Sequence, residues 1–98
     1  MHPLSPEEAQ VCLKTLPGWE IVSGELVKVF QFKDFASALH FVNRVGELAE
    51  QAGHHPDIDI RYKRVRLALI THDANGLTQR DFDLAANTQK LTGQLTAR

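Results

Sequence analysis

The chain has 98 residues, 43% of them apolar and 23% charged, which suits one soluble domain with one core and is too short for two. A formal net charge of −1 supplies no global basic field to gather nucleic acid or an anionic membrane. The single cysteine, Cys12, excludes an intramolecular disulfide, and no apolar run reaches the length of a membrane-spanning helix.

The N-terminal stretch lacks a signal-peptide pattern, so a cytoplasmic location is expected. Ser5, Pro6 and Glu8 predict a helix start, with Ser5 as cap, Pro6 at the first helical position and Glu8 completing a capping box. Ala9, Cys12, Leu13 and Leu16 recur at helical spacing, with Cys12 read as a buried thiol, and Pro17-Gly18 is expected to end the helix. Residues 19–22 and 26–32 read as strands around a Ser23-Gly24 turn. Leu26, Phe30 and Phe32 share one face of the second strand, and Val27 and Val29 the other. Apolar residues on both faces call for cover on both, which a second subunit can supply.

Asp34 caps a longer helix whose expected apolar stripe is Phe35, Ala38, Leu39, Val42, Val45, Leu48, Ala49 and Ala52, and Gly53 suits its end. Residues 57–62 and 65–71 predict a second hairpin, with Lys63-Arg64 as its turn and Lys63, Arg64 and Arg66 as a solvated tip. Asn75-Gly76 reads as a turn, and Thr78 to Asp81 matches a capping box in its Asp variant. Leu84, Thr88, Leu91 and Leu95 then continue a third helix. The order α-β-β-α-β-β-α predicts an α+β two-layer sandwich, a four-stranded antiparallel sheet with three helices on one face.

Three of the five histidines fall in Gly53-His54-His55-Pro56-Asp57 and Thr71-His72-Asp73. If Tyr62 and Val65 flank a two-residue turn, Ile58 faces Leu69, Ile60 faces Leu67, and His55 faces His72, with Cβ atoms about 5 Å apart. A three-residue turn pairs His54 with His72 instead. Pro56 pushes His55 out of the helical region, so His54 and His55 sit at a helix C-terminus, where the macrodipole favours imidazolium. Repulsion between imidazolium ions opposes that, and mixed protonation near neutral pH is what general acid–base work needs. Glu50, Asp57 and Asp73 are near enough in sequence to orient a ring. Adjacent His54 and His55 point apart, and no HxH, HxxxH or CxxC spacing occurs, so no metal site is expected. His40 and His2 read as solvated.

The run Glu50-Gln51-Ala52-Gly53-His54-His55-Pro56, followed by Tyr62, Thr71-His72-Asp73, Gly76-Leu77-Thr78 and Arg80-Asp81, resembles the pterin-4a-carbinolamine dehydratase family. Gly18-Trp19 and Phe32-Lys33-Asp34-Phe35 extend the match over nearly the whole chain. The resemblance implies an α+β fold and a homodimer or dimer of dimers. It implies dehydration of 4a-hydroxytetrahydropterin to the quinonoid dihydropterin, with no metal or organic cofactor. The family's catalytic histidines fall on His54, His55 and His72. Glu50, Pro56, Arg80 and Asp81 fall on positions that shape or support the pocket, with Trp19 expected near it. Animal members carry an aromatic residue soon after the proline where this chain has Ile58, and an Asn in the hairpin turn where it has Lys63; the first implies a less closed pterin pocket. Animal relatives also serve as dimerisation cofactors for a homeodomain transcription factor. The rival expectations are therefore a protein-binding, coactivator-like module, or an activity on another pterin such as in molybdenum-cofactor metabolism. Neither nucleic acid nor membrane is an expected partner.

Overall fold

The structure, a computed structural model, describes residues 2–96, with side chains as far as residue 92. Its elements are α1 (Pro6–Leu13), β1 (Glu20–Val22), β2 (Glu25–Gln31), α2 (Phe35–Ala52), β3 (Asp57–Arg61), β4 (Arg64–Leu69), a 3-10 turn (His72–Ala74) and α3 (Gln79–Thr96). The strands form one antiparallel sheet in the order β1-β2-β4-β3. Leu26 and Phe30 of β2 and Val65, Leu67 and Leu69 of β4 point into a core shared with residues of all three helices. The helices therefore lie on one face, as the element order predicts. Among the described residues, no helix is long and apolar enough to cross a membrane.

Local chemistry explains the boundaries. The Ser5 and Glu8 side chains each accept from the other's backbone N–H, at 3.1 and 2.8 Å, so the expected capping box is made. α1 stops at Leu13 rather than at Pro17-Gly18, and tighter bonds such as Leu16 N–H to Leu13 O (3.0 Å) carry the chain onward. Leu16 still reaches the core, whereas Cys12 is only half-buried. Ser23 and Gly24 have φ of 51° and 82°, the positive pair that a type I′ hairpin turn needs. Asp34 accepts from the Ser37 N–H at 2.8 Å, a bond that holds its carboxyl below the ordinary pKa. Gly53 closes α2 at φ 62°, in the left-handed region.

The buried residues of α2 are Ala38, Phe41, Val45 and Ala49. Phe41, outside the expected stripe, is fully buried, with ring centroids 4.8 Å from Phe30 and 4.9 Å from Phe32. Phe35 and Leu39, inside that stripe, are exposed. The helix carries two adjacent apolar rows, and the sheet selects the row containing Phe41. On the opposite sheet face Val27 is buried beside Ala68, while Val29 is exposed. The Leu95 side chain lies outside the described residues.

The second hairpin differs in register from either expected pairing. Arg61 and Arg64 flank a Tyr62-Lys63 turn, and Ile58 faces Leu67 while Ile60 faces Val65. The pairing is two residues away from the expected two-residue-turn register. An even shift leaves every side chain on its original face, so apolar alternation cannot separate the two. The Phe32 N–H bonds Lys63 O at 2.9 Å and ties the turn to the end of β2. Tyr62 consequently adopts φ 54°, which costs a Cβ-bearing residue about 1–2 kcal/mol. The residue is 67% exposed, so little packing offsets that cost. Tyr62→Asn, which tolerates the left-handed region, is expected to raise stability by about 0.5–1 kcal/mol in urea unfolding at unchanged slope. An unchanged or lower midpoint would show that the tyrosine ring compensates.

Candidate active site

Three chain segments meet at one end of the sheet. The left-handed Gly53 turns the backbone out of α2, so His54 and His55 follow it directly, and the half-buried Pro56 leads into β3. Beside them, β4 gives way to Ile70 and Thr71, then to the 3-10 turn that begins with His72. A backbone bridge between Thr71 and Gly76 closes that turn, with Asn75 at φ 55°. The first turn of α3 supplies Arg80 and Asp81. Together they border an open cleft of about 230 Å³, lined by Gly53, His54, His55, Ile70, Thr71, His72, Asp73 and Arg80. The histidines thus converge without the expected cross-strand opposition, because the loops beyond the strand ends bring them together.

His54 and Asp81 form the buried heart of the site. His54 Nε2 lies 2.6 Å from Asp81 Oδ1, with His54 7% exposed and Asp81 fully buried. Asp81 Oδ2 accepts from the Thr71 hydroxyl at 2.8 Å and from the Thr78 N–H at 2.9 Å. The Thr71 and Thr78 hydroxyl oxygens are 2.7 Å apart, and the Arg80 N–H donates to Thr78 Oγ1 at 3.3 Å. As a carboxylate Asp81 only accepts, so its partner His54 carries hydrogen on Nε2. Nδ1 is then the ring nitrogen free to exchange a proton with a ligand.

The other polar groups form an exposed rim. His55 Nε2 lies 2.5 Å from Glu50 Oε2, on side chains 62% and 79% exposed, so solvent screens this pair. His72 and Asp73 are exposed on the 3-10 turn. Arg80 Nη2 donates to Gly53 O at 2.8 Å and braces the end of α2 that carries His54 and His55. A guanidinium at a helix C-terminus also complements its dipole. Among the described residues, no group of three or more His, Cys, Asp or Glu side chains is arranged to hold a metal ion.

The remaining expected site residues divide clearly. Glu50 reaches the site through His55, and Asp81 through His54. Pro56 and Asp57 do not line the cleft; Asp57 is exposed and opens β3 opposite Ala68. Trp19 is a core residue rather than a cleft residue. It is 4% exposed, packs edge-on against Phe30 at 5.8 Å, and donates from Nε1 to Gln89 Oε1 at 3.1 Å. Its width and apolar rings favour the core, and Gln89 satisfies its one donor. Sequence pattern does not single out the Thr71 and Thr78 hydroxyls. The only signal is the Thr78-x-x-Asp81 cap, whose carboxylate does reach back to the Thr78 N–H.

Residues 2–91 match the family described as pterin 4 alpha carbinolamine dehydratase. A protein of Acidobacterium capsulatum, provisionally named a pterin-4-alpha-carbinolamine dehydratase, is 57% identical over 91 residues, covering 93% of this chain and 99% of its own. A Chloroflexus aurantiacus protein with the same provisional name is 52% identical over 93 residues, covering 95% of this chain and 100% of its own. The crystal structure of a Brucella melitensis "transcriptional coactivator/pterin dehydratase" superposes with a TM-score of 0.90 at 33% identity, covering 94% of this chain and all of that one.

The buried network makes Asp81→Asn informative. If the amide oxygen keeps the Thr71 and Thr78 donors, the amide NH₂ faces His54 Nε2, which must then accept. The variant is expected to fold, with a loss of about 1–3 kcal/mol, and to move the neutral-ring proton of His54 from Nε2 to Nδ1. Nitrogen-15 NMR of the ring reads this directly; an unchanged tautomer would contradict the hydrogen-bond assignment.

Proposed function

The chain belongs to the pterin 4 alpha carbinolamine dehydratase family, and from that premise we propose that it removes water from a 4a-hydroxytetrahydropterin, giving the quinonoid dihydropterin as in tetrahydrobiopterin recycling. The observation that carries the proposal is a buried imidazole–carboxylate pair, His54 with Asp81, opening onto a cleft that His55 and His72 also line.

The reaction breaks the C4a–O bond, removes the N5 proton and forms a C4a=N5 double bond. Electron density from the adjacent nitrogen pushes the hydroxyl out, so the protein need only move two protons. His54, with Nε2–H directed at Asp81, accepts the N5 proton at Nδ1, and Asp81 stabilises the imidazolium that forms. His72, as imidazolium on the exposed turn, protonates the departing hydroxyl. His55, held by Glu50, binds and polarises that hydroxyl. Water leaves through the open side of the cleft, and proton exchange with solvent resets the two rings. Asp73 and Arg80 offer an acceptor and donors for the polar edge of the pterin.

We further propose a cytoplasmic homodimer or dimer of dimers. Exposed Phe35 and Leu39 on α2 and exposed Val29 on the open sheet face support an assembly. The same surfaces favour one second function, a protein-binding, coactivator-like role, and the Brucella melitensis protein is described as both a transcriptional coactivator and a pterin dehydratase. Such a role would survive loss of all three histidines, which separates it from the dehydratase.

Single alanine substitutions test the catalytic proposal with freshly generated carbinolamine, measured above the uncatalysed background. His54→Ala and His72→Ala are each expected to lower kcat by about 10²–10⁴-fold, and His55→Ala by less. Near-full activity in all three would overturn the histidine mechanism.

A further inference from the structure

The buried polar network contains one side chain whose hydrogen can go in only one direction. Thr71 is 1% exposed, and its hydroxyl touches two oxygens, Asp81 Oδ2 at 2.8 Å and Thr78 Oγ1 at 2.7 Å. It has one hydrogen to give, and the carboxylate can only accept. The Thr71 hydrogen therefore goes to Asp81, and the Thr78 hydroxyl donates to Thr71. Donation runs from Thr78 to Thr71 to Asp81, with His54 donating to the opposite carboxylate oxygen.

Thr71 also links the two histidine-bearing segments. Its backbone pairs with Gly76 through Thr71 N–H to Gly76 O at 3.0 Å and Gly76 N–H to Thr71 O at 3.3 Å. Its carbonyl also accepts from Ala74 N–H at 3.1 Å, closing the turn that begins with His72. One residue thus anchors the backbone beneath His72 and reaches His54 through a single carboxylate.

We propose that Thr71 is a positioning residue of the site: its hydroxyl locks the rotation of Asp81, and thereby the Nε2–H tautomer of His54, while its backbone sets the place of His72. Its relevance to catalysis rests on the proposed role of His54 in proton transfer. A fixed tautomer matters because only the ring with a free Nδ1 accepts a proton from the cleft. Without the hydroxyl, Asp81 Oδ2 keeps the Thr78 N–H as donor, so the carboxylate stays bonded there but gains a torsional freedom that carries Oδ1 out of reach of His54 Nε2, and a ring without that acceptor is no longer held in the Nε2–H form. The hydroxyl is then needed for the position of a proton more than for folding.

Thr71→Val, Thr71→Ser and Thr78→Val in the full chain separate positioning from packing. Valine fills the same volume without the hydrogen, serine restores the hydrogen without the methyl, and Thr78→Val leaves the Thr71–Asp81 bond intact. For Thr71→Val we expect a kcat lowered about tenfold or more at a KM within about twofold, and a neutral His54 ring divided between tautomers by nitrogen-15 NMR. Thr71→Ser and Thr78→Val are expected within about threefold of wild-type kcat, with the Nε2–H tautomer retained. Should Thr71→Val fail to fold, Thr71→Ala is measured in its place. A Thr71→Val protein with wild-type kcat and one tautomer overturns the proposal, as does a Thr71→Ser protein equally impaired. The NMR comparison needs no turnover: wild-type protein that is inactive but holds one tautomer, lost only in the Thr71 variants lacking a hydroxyl, would refute the dehydratase and leave the Thr71 lock standing.

Discussion

The site depends on one fully buried carboxylate. Asp81 accepts from His54 just past α2, from Thr71 just past β4, and from Thr78 at the start of α3. Removing a carboxylate from water costs several kcal/mol unless its oxygens are paired and hydrogen-bonded. Here each oxygen has a partner, and the partners come from three separate segments. The carboxylate therefore functions as a joint: the segments must converge for it to be buried, and once buried it holds them together. Each donor approaches the carboxylate from a different segment, which makes the arrangement narrow in geometry.

A second histidine–carboxylate contact of similar length has a different physical meaning. The His55–Glu50 pair is largely exposed, so solvent and salt weaken it, and its side chains are free to exchange partners with a ligand. The His54–Asp81 pair is buried, so solvent does not compete for its hydrogen bond. This contrast divides the labour within the proposed mechanism. One imidazole is fixed for proton transfer and the other is adaptable enough to receive the leaving hydroxyl, with His72 facing them from a separate loop. Arg80 supports the division by bonding the carbonyl of Gly53, the residue that directs His54 inward.

Much of this is legible in the amino-acid order because local rules act over a few residues. Ser5, Pro6 and Glu8 announce α1, Asp34 and Gly53 bracket α2, and the Ser23-Gly24 pair marks a hairpin. The three histidines stand out by type and placement, and all line the cleft. The parts that local pattern misses all depend on distant partners. Phe41 escapes because α2 has two apolar rows and only the packed sheet chooses between them. The β3–β4 register escapes because a two-residue shift preserves both faces, and the Lys63 contact with β2 lies outside any hairpin rule. The Thr71 hydroxyl escapes because its partner is ten residues away on another element. Trp19 is expected near the pocket by resemblance, yet its partners Phe30 and Gln89 hold it in the core.

In the proposed reaction the cleft between His54 and His72 receives a pterin with its C4a–N5 edge toward the histidines. A crystal structure of the protein soaked with a stable dihydropterin tests it most directly. The bicyclic ring is expected in this cleft, with N5 within hydrogen-bond distance of His54 Nδ1 and the pyrimidine edge near Asp73 or Arg80. A dihydropterin bound elsewhere, or with its pyrimidine edge against the histidines and N5 in solvent, would contradict it.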